Sequence, residues 1–224
     1  MKLTWWKYLA LGLLTYVAVA GLVLPVPRLA ILNETIRNLY FHVPMWFGMT
    51  IILGFSVGYS VRFLLSGNAR FDVWAHESAK TGAVFGALGL LTGSLWARYT
   101  WGTWWTNDVR LNGAAIAMLI YGAYFVLRSS LPEPAQRARI SAIYNVFAFA
   151  AAVPLLFVLP RLTASLHPGA GGNPGFGKYD LDNTMRLVFY PAVIGWTLVG
   201  AWLTQLGART TFLTNLLDDR EDAA

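Results

Sequence analysis

With 224 residues, 56% of them hydrophobic and only 12% charged, the chain is too apolar for a soluble domain, where about 45–50% apolar and 25% charged residues are usual. The net charge of +6 comes from basic residues scattered between apolar runs, which speaks against nucleic acid and for topology signals in a lipid bilayer. With no cysteine, disulfides, thiol exchange and thioether attachment of a prosthetic group are all excluded.

These limits predict an all-α integral membrane protein, a bundle of six transmembrane helices forming a single domain over residues 1–224. Lys2 and Lys7 precede the first run, 8–24, which extends past the small-residue site Ala18-Val19-Ala20 and reads as a retained span rather than a cleaved leader. The second, 43–65, begins near His42-Val43-Pro44, with Pro44 suited to a first helical turn. A polar segment, Ser66 to Lys80, separates it from the third, 81–96, where Gly82, Gly86, Gly89 and Gly93 permit close helix contact. The fourth is 112–127, followed by the proline-bearing polar turn Arg128 to Arg139. The fifth, 140–159, contains Pro154; an outer loop, 161–183, leads to the sixth, 184–206, and to a polar tail expected to be poorly ordered.

Six spans place both termini on one side together with segments 66–80 and 128–139. Basic residues are somewhat more numerous there, so the positive-inside rule assigns that side to the cytoplasm. The segments near 25–42, 98–111 and 161–183 then face outward.

The loop 98–111 contains Trp101-Gly102-Thr103-Trp104-Trp105-Thr106-Asn107-Asp108-Val109-Arg110-Leu111. Read as a short interfacial helix, it sets Trp101, Trp104, Trp105 and Asp108 on one face, with Arg98 and Tyr99 before it and Arg110 after. A flat aromatic surface flanked by cations suits a flat ligand with carboxylates. An aromatic belt at the membrane interface accounts for the same density of tryptophan, and composition leaves both readings open.

Trp-Gly-x-Trp-Trp-x-x-Asp-x-Arg-Leu resembles the "WWD" signature of the haem-handling proteins of cytochrome c maturation, especially the heme exporter protein C (CcmC) family, which shares the signature with the related F subunit and CcsA proteins. Asn107 stands where that signature usually carries Trp. The resemblance extends to the six-span layout and to one histidine on each flank. It implies that His42, in its Tyr-Phe-His-Val-Pro context, and His167 are paired ligands of haem iron. Neutral imidazole is a common axial ligand, and a single interfacial histidine is otherwise a solvated side chain. The macrocycle would stack on Trp101, Trp104 and Trp105 beside Asp108, while Arg98, Arg110 and Arg161 meet its propionates. His76 reads as a cytoplasmic loop residue.

The resemblance further implies a non-enzymatic role: transient, non-covalent binding of haem b at the outer face of a bacterial inner membrane. It implies delivery to a periplasmic haem chaperone, in company with ABC-type transporter subunits and a small membrane subunit. The alternatives are the membrane core of a cytochrome c haem lyase and a scaffold or permease subunit that binds no haem. Gly172-Asn173-Pro174-Gly175-Phe176-Gly177-Lys178-Tyr179 nearly spells a phosphate-binding loop, but Tyr179 replaces the required Ser or Thr and no strand precedes it. Direct nucleotide binding is therefore not expected. Asp108 can act as a base, a partner for Arg110 or a helix cap, and no nucleophile stands beside it.

Overall fold

Lipid offers no partner for a backbone N–H or C=O, so a chain this apolar closes its hydrogen bonds within helices. The computed structural model describes residues 4–29, 31–167 and 181–221 and has no strand among them. Helix α1 is Trp5–Val23; a 3-10 turn, Asn33–Asn38, runs into α2, Leu39–Ser66. Then follow α3, Ala69–Trp101, α4, Val109–Ser130, and α5, Pro134–Val153. A π-helical turn, Pro154–Val158, joins α5 to the short α6, Leu159–Leu162, and α7 is Asn183–Glu221. Among the described residues, five stretches are long and apolar enough to cross a membrane: Trp5–Val23, Asn33–Ser66, Val109–Ser130, Pro134–Leu162 and Asn183–Asp218.

Several boundaries differ from the sequence reading. Residues 69–80, expected as a polar loop, open α3: Asn68 caps it by accepting from the Arg70 N–H. Its charges are met by other groups, Asp72 by a bidentate bond from Arg128 of α4 at 2.7–2.8 Å and Glu77 by Lys80 and by Thr211 of α7. The polar tail likewise continues α7 to Glu221. Helix α2 starts before Pro44, so His42 lies one turn inside it. The tryptophan stretch is not a helix. Gly102 takes the left-handed conformation (φ 76°) that stops α3, and helix resumes only at Val109, with Asp108 as the cap.

The core has two parts. Val17, Ile36, Tyr40, Met185 and Phe189 bind α1, α2 and α7 together, and Met49, Leu53, Phe85, Tyr121 and Ala148 join α2 to α5, with Trp196 packed against both. Helix α1 thus belongs to the bundle, packing on α7. The glycines of α3 set its distance from its neighbours: a Cβ at Gly82 would meet Leu53 at 2.5 Å, at Gly89 the Trp46 ring at 2.6 Å, and at Gly93 His42 Cε1 at 2.7 Å. Gly113 of α4 plays the same part against the Leu155 carbonyl of the π turn.

Candidate functional site

At one end of the bundle the start of α2, the end of α3, the start of α4 and the α5–α6 limb surround a cavity. His42 enters it from α2. Its Nδ1 lies 2.9 Å from the Thr92 hydroxyl, whose own proton is directed 2.8 Å to the Leu88 carbonyl of α3. Thr92 therefore accepts, His42 carries its proton on Nδ1, and the Nε2 lone pair is left for a ligand. Trp46 and Trp96 stand edge-on to the ring at 6.3 and 5.9 Å between centroids, and Trp96 is itself fixed by a bond to Thr35.

His167 arrives by another route. The π turn and Pro160 end the α5–α6 limb at the cavity wall, and the chain then turns through 163–167. Asp108 fastens this segment: Oδ2 accepts from the Ser165 hydroxyl and the Leu166 N–H, both at 2.8 Å, while Oδ1 accepts from the Arg110 N–H at 2.8 Å and lies 3.2 Å from His167 Nδ1. Nδ1 again faces acceptors, so the Nε2 lone pair remains available here too. Trp101 packs edge-on against this ring at 5.1 Å.

Burial pushes the His167 imidazolium down to about 4, the Arg110 charge acting in the same direction and Asp108 against both. The ring is neutral at physiological pH, the form that binds a metal. Burial alone would raise the Asp108 carboxyl, but the Leu166, Ser165 and Arg110 hydrogen bonds and the His167 ring outweigh it and hold the group below its ordinary value.

The cavity wall thus holds His42, His167, Trp101, Trp105, Arg110 and Arg161 of the residues singled out from sequence. Asp108 is buried behind His167 rather than exposed to the cavity. Trp104 and Arg98 lie elsewhere, around a shallow outer cleft with Leu95 and Tyr99. The Trp104 carbonyl accepts from Ser94 and the Arg98 guanidinium from its own side donates to the Gly102 carbonyl, so both close the end of α3. His76 sits at the far end of α3, 3.3 Å from the Tyr124 hydroxyl. Thr92, Ser165, Trp46 and Trp96 belong to the site without having been read from the sequence. The near phosphate-binding loop at 172–179 lies outside the described residues.

Two imidazoles are few for a bare cation, and no cluster of three metal-binding side chains occurs among the described residues. They suffice for iron whose equatorial positions a porphyrin already fills. Aromatic walls and two guanidiniums fit the ring and its carboxylates.

The chain matches the family described as heme exporter protein C (CcmC) over residues 1–221. It is similar to the heme exporter protein C of Bradyrhizobium diazoefficiens, 30% identical over 182 residues, covering 81% of this chain and 68% of that one. The heme exporter protein C of Escherichia coli K12 is 27% identical over 183 residues, 81% of this chain and 72% of its own. A shorter match, 35% over 82 residues, or 37% of this chain and 26% of the other, is to the cytochrome c biogenesis protein CcsA of Prochlorococcus marinus.

Proposed function

The chain belongs to the heme exporter protein C family, and from that premise we propose that it binds haem b non-covalently and transiently and presents it to a periplasmic haem chaperone for c-type cytochrome assembly. The family implies haem delivery in cytochrome c biogenesis, a transport role rather than catalysis. One observation carries the residue assignment: His42 and His167, 125 positions apart (167 − 42), line one cavity, each with Nδ1 engaged and its Nε2 lone pair available. His42 and His167 are the axial ligands. Trp101 and Trp105 line the ring, and Arg110 and Arg161 face the propionates.

Bound haem supplies an iron with two open axial positions; the chain supplies two oriented neutral imidazoles and a largely apolar wall that keeps water from them. The chain forms one membrane domain with six spans. Helices α2 and α4 both run away from the site end, so α3, 33 residues long, must return between them. At about 1.5 Å per residue α3 is long enough to cross. The termini lie on the cytoplasmic side of a bacterial inner membrane and the site on the outer side. ABC-type subunits and a small membrane subunit are the working partners, and any ATP-driven step belongs to them.

The absorption spectrum of the purified protein tests the site. Haem bound to wild type is six-coordinate and low-spin. His42→Ala or His167→Ala shifts it to five-coordinate high-spin, restored by added imidazole, and the double variant loses haem. A low-spin spectrum surviving in the double variant would place the iron elsewhere.

A further inference from the structure

The groups behind the two rings differ in kind. His42 Nδ1 meets a neutral hydroxyl, Thr92, already committed to a helix carbonyl. His167 Nδ1 meets a carboxylate, Asp108, with the Ser165 oxygen 3.1 Å away as a second acceptor. A carboxylate accepting an imidazole N–H draws the proton towards itself and makes the opposite nitrogen a better donor to metal; a hydroxyl does so much less.

We propose that the two axial ligands are unequal by construction, His167 being the strong donor because Asp108 backs it and His42 the weak one that yields its place first when haem is passed on. This rests on the reading of both histidines as haem ligands. Asp108 and Thr92 are positioning residues, touching the rings and not the iron.

Position in the fold alone would suggest the reverse, since His42 sits on a long helix and His167 on a connecting segment. The hydrogen bonds answer that objection. Asp108 holds segment 165–167 through the Ser165 hydroxyl, the Leu166 N–H and the His167 ring while its other contact caps α4. The segment is thereby tied to a helix end, and the carboxylate that increases the donor strength of His167 also fixes where it stands. His42 is held only by neutral groups: the Thr92 hydroxyl, a backbone hydrogen bond at Gly89, the edge-on rings of Trp46 and Trp96, and close packing on Gly93, where a Cβ would strike its ring.

The test uses the full chain in detergent, loaded with ferric haem. Haem retained through gel filtration is compared for His42→Ala and His167→Ala, each alone and with Asp108→Asn, which keeps an N-cap oxygen and removes the charge. His42→Ala should retain about tenfold more haem than His167→Ala, the scale of an outer-shell effect on metal affinity, and Asp108→Asn should abolish the difference. Asp108→Asn should also weaken ferric relative to ferrous haem about tenfold, read as a rise of about 59 mV in midpoint potential. Thr92→Val should move the potential by less than about twofold in the same ratio, with Thr92→Ser indistinguishable from wild type. Equal retention by the two histidine variants, or greater retention by His167→Ala, overturns the inequality. A low-spin spectrum unchanged in both single variants is a different result, and overturns the ligand assignment itself.

Discussion

Asp108 Oδ1 lies 3.2 Å from His167 Nδ1 while accepting the Arg110 N–H that begins α4, so one carboxylate fixes both a helix start and a ring 59 positions away (167 − 108). The charge is favoured at a helix N-terminus, and four hydrogen-bond donors converge on it from Arg110, Ser165, Leu166 and His167.

Asp108→Ala therefore removes a cap and an anchor together. Thermal unfolding of the haem-free protein in detergent should show a loss of about 2–4 kcal/mol, from a cap of about 1 kcal/mol plus non-additive losses of bonds to a charged group. Asn68→Ala, which removes only the cap of α3, should cost about 1 kcal/mol. Equal losses would mean that the 165–167 segment draws no stability from Asp108.

The tryptophans separate by position. Trp101 and Trp105 line the cavity and Trp104 lies outside it. Stacking on an aromatic side chain is worth about 1–3 kcal/mol per ring, so Trp105→Ala should weaken haem retention about five- to a hundredfold, whereas Trp104→Ala should change it by less than about twofold. If the two variants lose haem alike, the outer cleft is part of the site.

What the sequence disclosed follows from physics of different range. Apolar runs reveal helices because each residue's transfer to lipid is a local property, and the extent of α1, α4 and most of α2 follows from that. The start of α3 does not, because Asp72 is tolerable only once Arg128 arrives from a helix distant in sequence, and Glu77, paired locally with Lys80, gains a further bond from Thr211 of α7. The tryptophan stretch is a misreading of a different kind. Spacing at i, i+3 and i+4 suggested a helix, while Gly102 and Asp108, a helix stop and a helix start, were both in plain view. For the site, Trp101, Trp105 and the two histidines carry recognisable chemistry. Thr92 and Ser165 are ordinary hydroxyls whose role exists only after folding brings them to the Nδ1 atoms.

Gly93 can be tested directly. A Cβ there would lie 2.7 Å from His42 Cε1, and the ring has no room to retreat without leaving Thr92. Gly93→Ala should convert low-spin haem towards high-spin with the protein still inserted, whereas Gly12→Ala, with nothing within 4 Å of the added carbon, should leave the spectrum unchanged.

The absence of cysteine makes the topology simple to measure, because a single introduced thiol is the only target in this chain for a membrane-impermeant reagent, read on the purified protein. In intact cells Thr103→Cys should label, and Ser66→Cys and Ser130→Cys should not until the membrane is opened. The opposite pattern would put the cavity on the cytoplasmic side and remove any outer delivery site.

The pH response of His167 is a final check on its surroundings. Its folded pKa is about 4, below the ordinary 6.5, chiefly because the ring is buried, with Arg110 adding to the effect and Asp108 resisting it. Between these values the unfolded chain holds a proton on this ring that the folded chain does not, so stability rises with pH across the window. The contribution is complete above about 6.5 and is lost as pH falls towards about 4. Haem follows the same ring: a proton competes with iron for Nε2 only near pH 4, so retention attributable to His167 should be level from pH 8 to 5 and fall below that. Unfolding temperatures of the haem-free protein should decline between pH 6.5 and 4, and His167→Gln should remove part of that slope. If wild type and His167→Gln decline in parallel, the imidazole is not held neutral by burial, and another group sets the acid sensitivity of the fold.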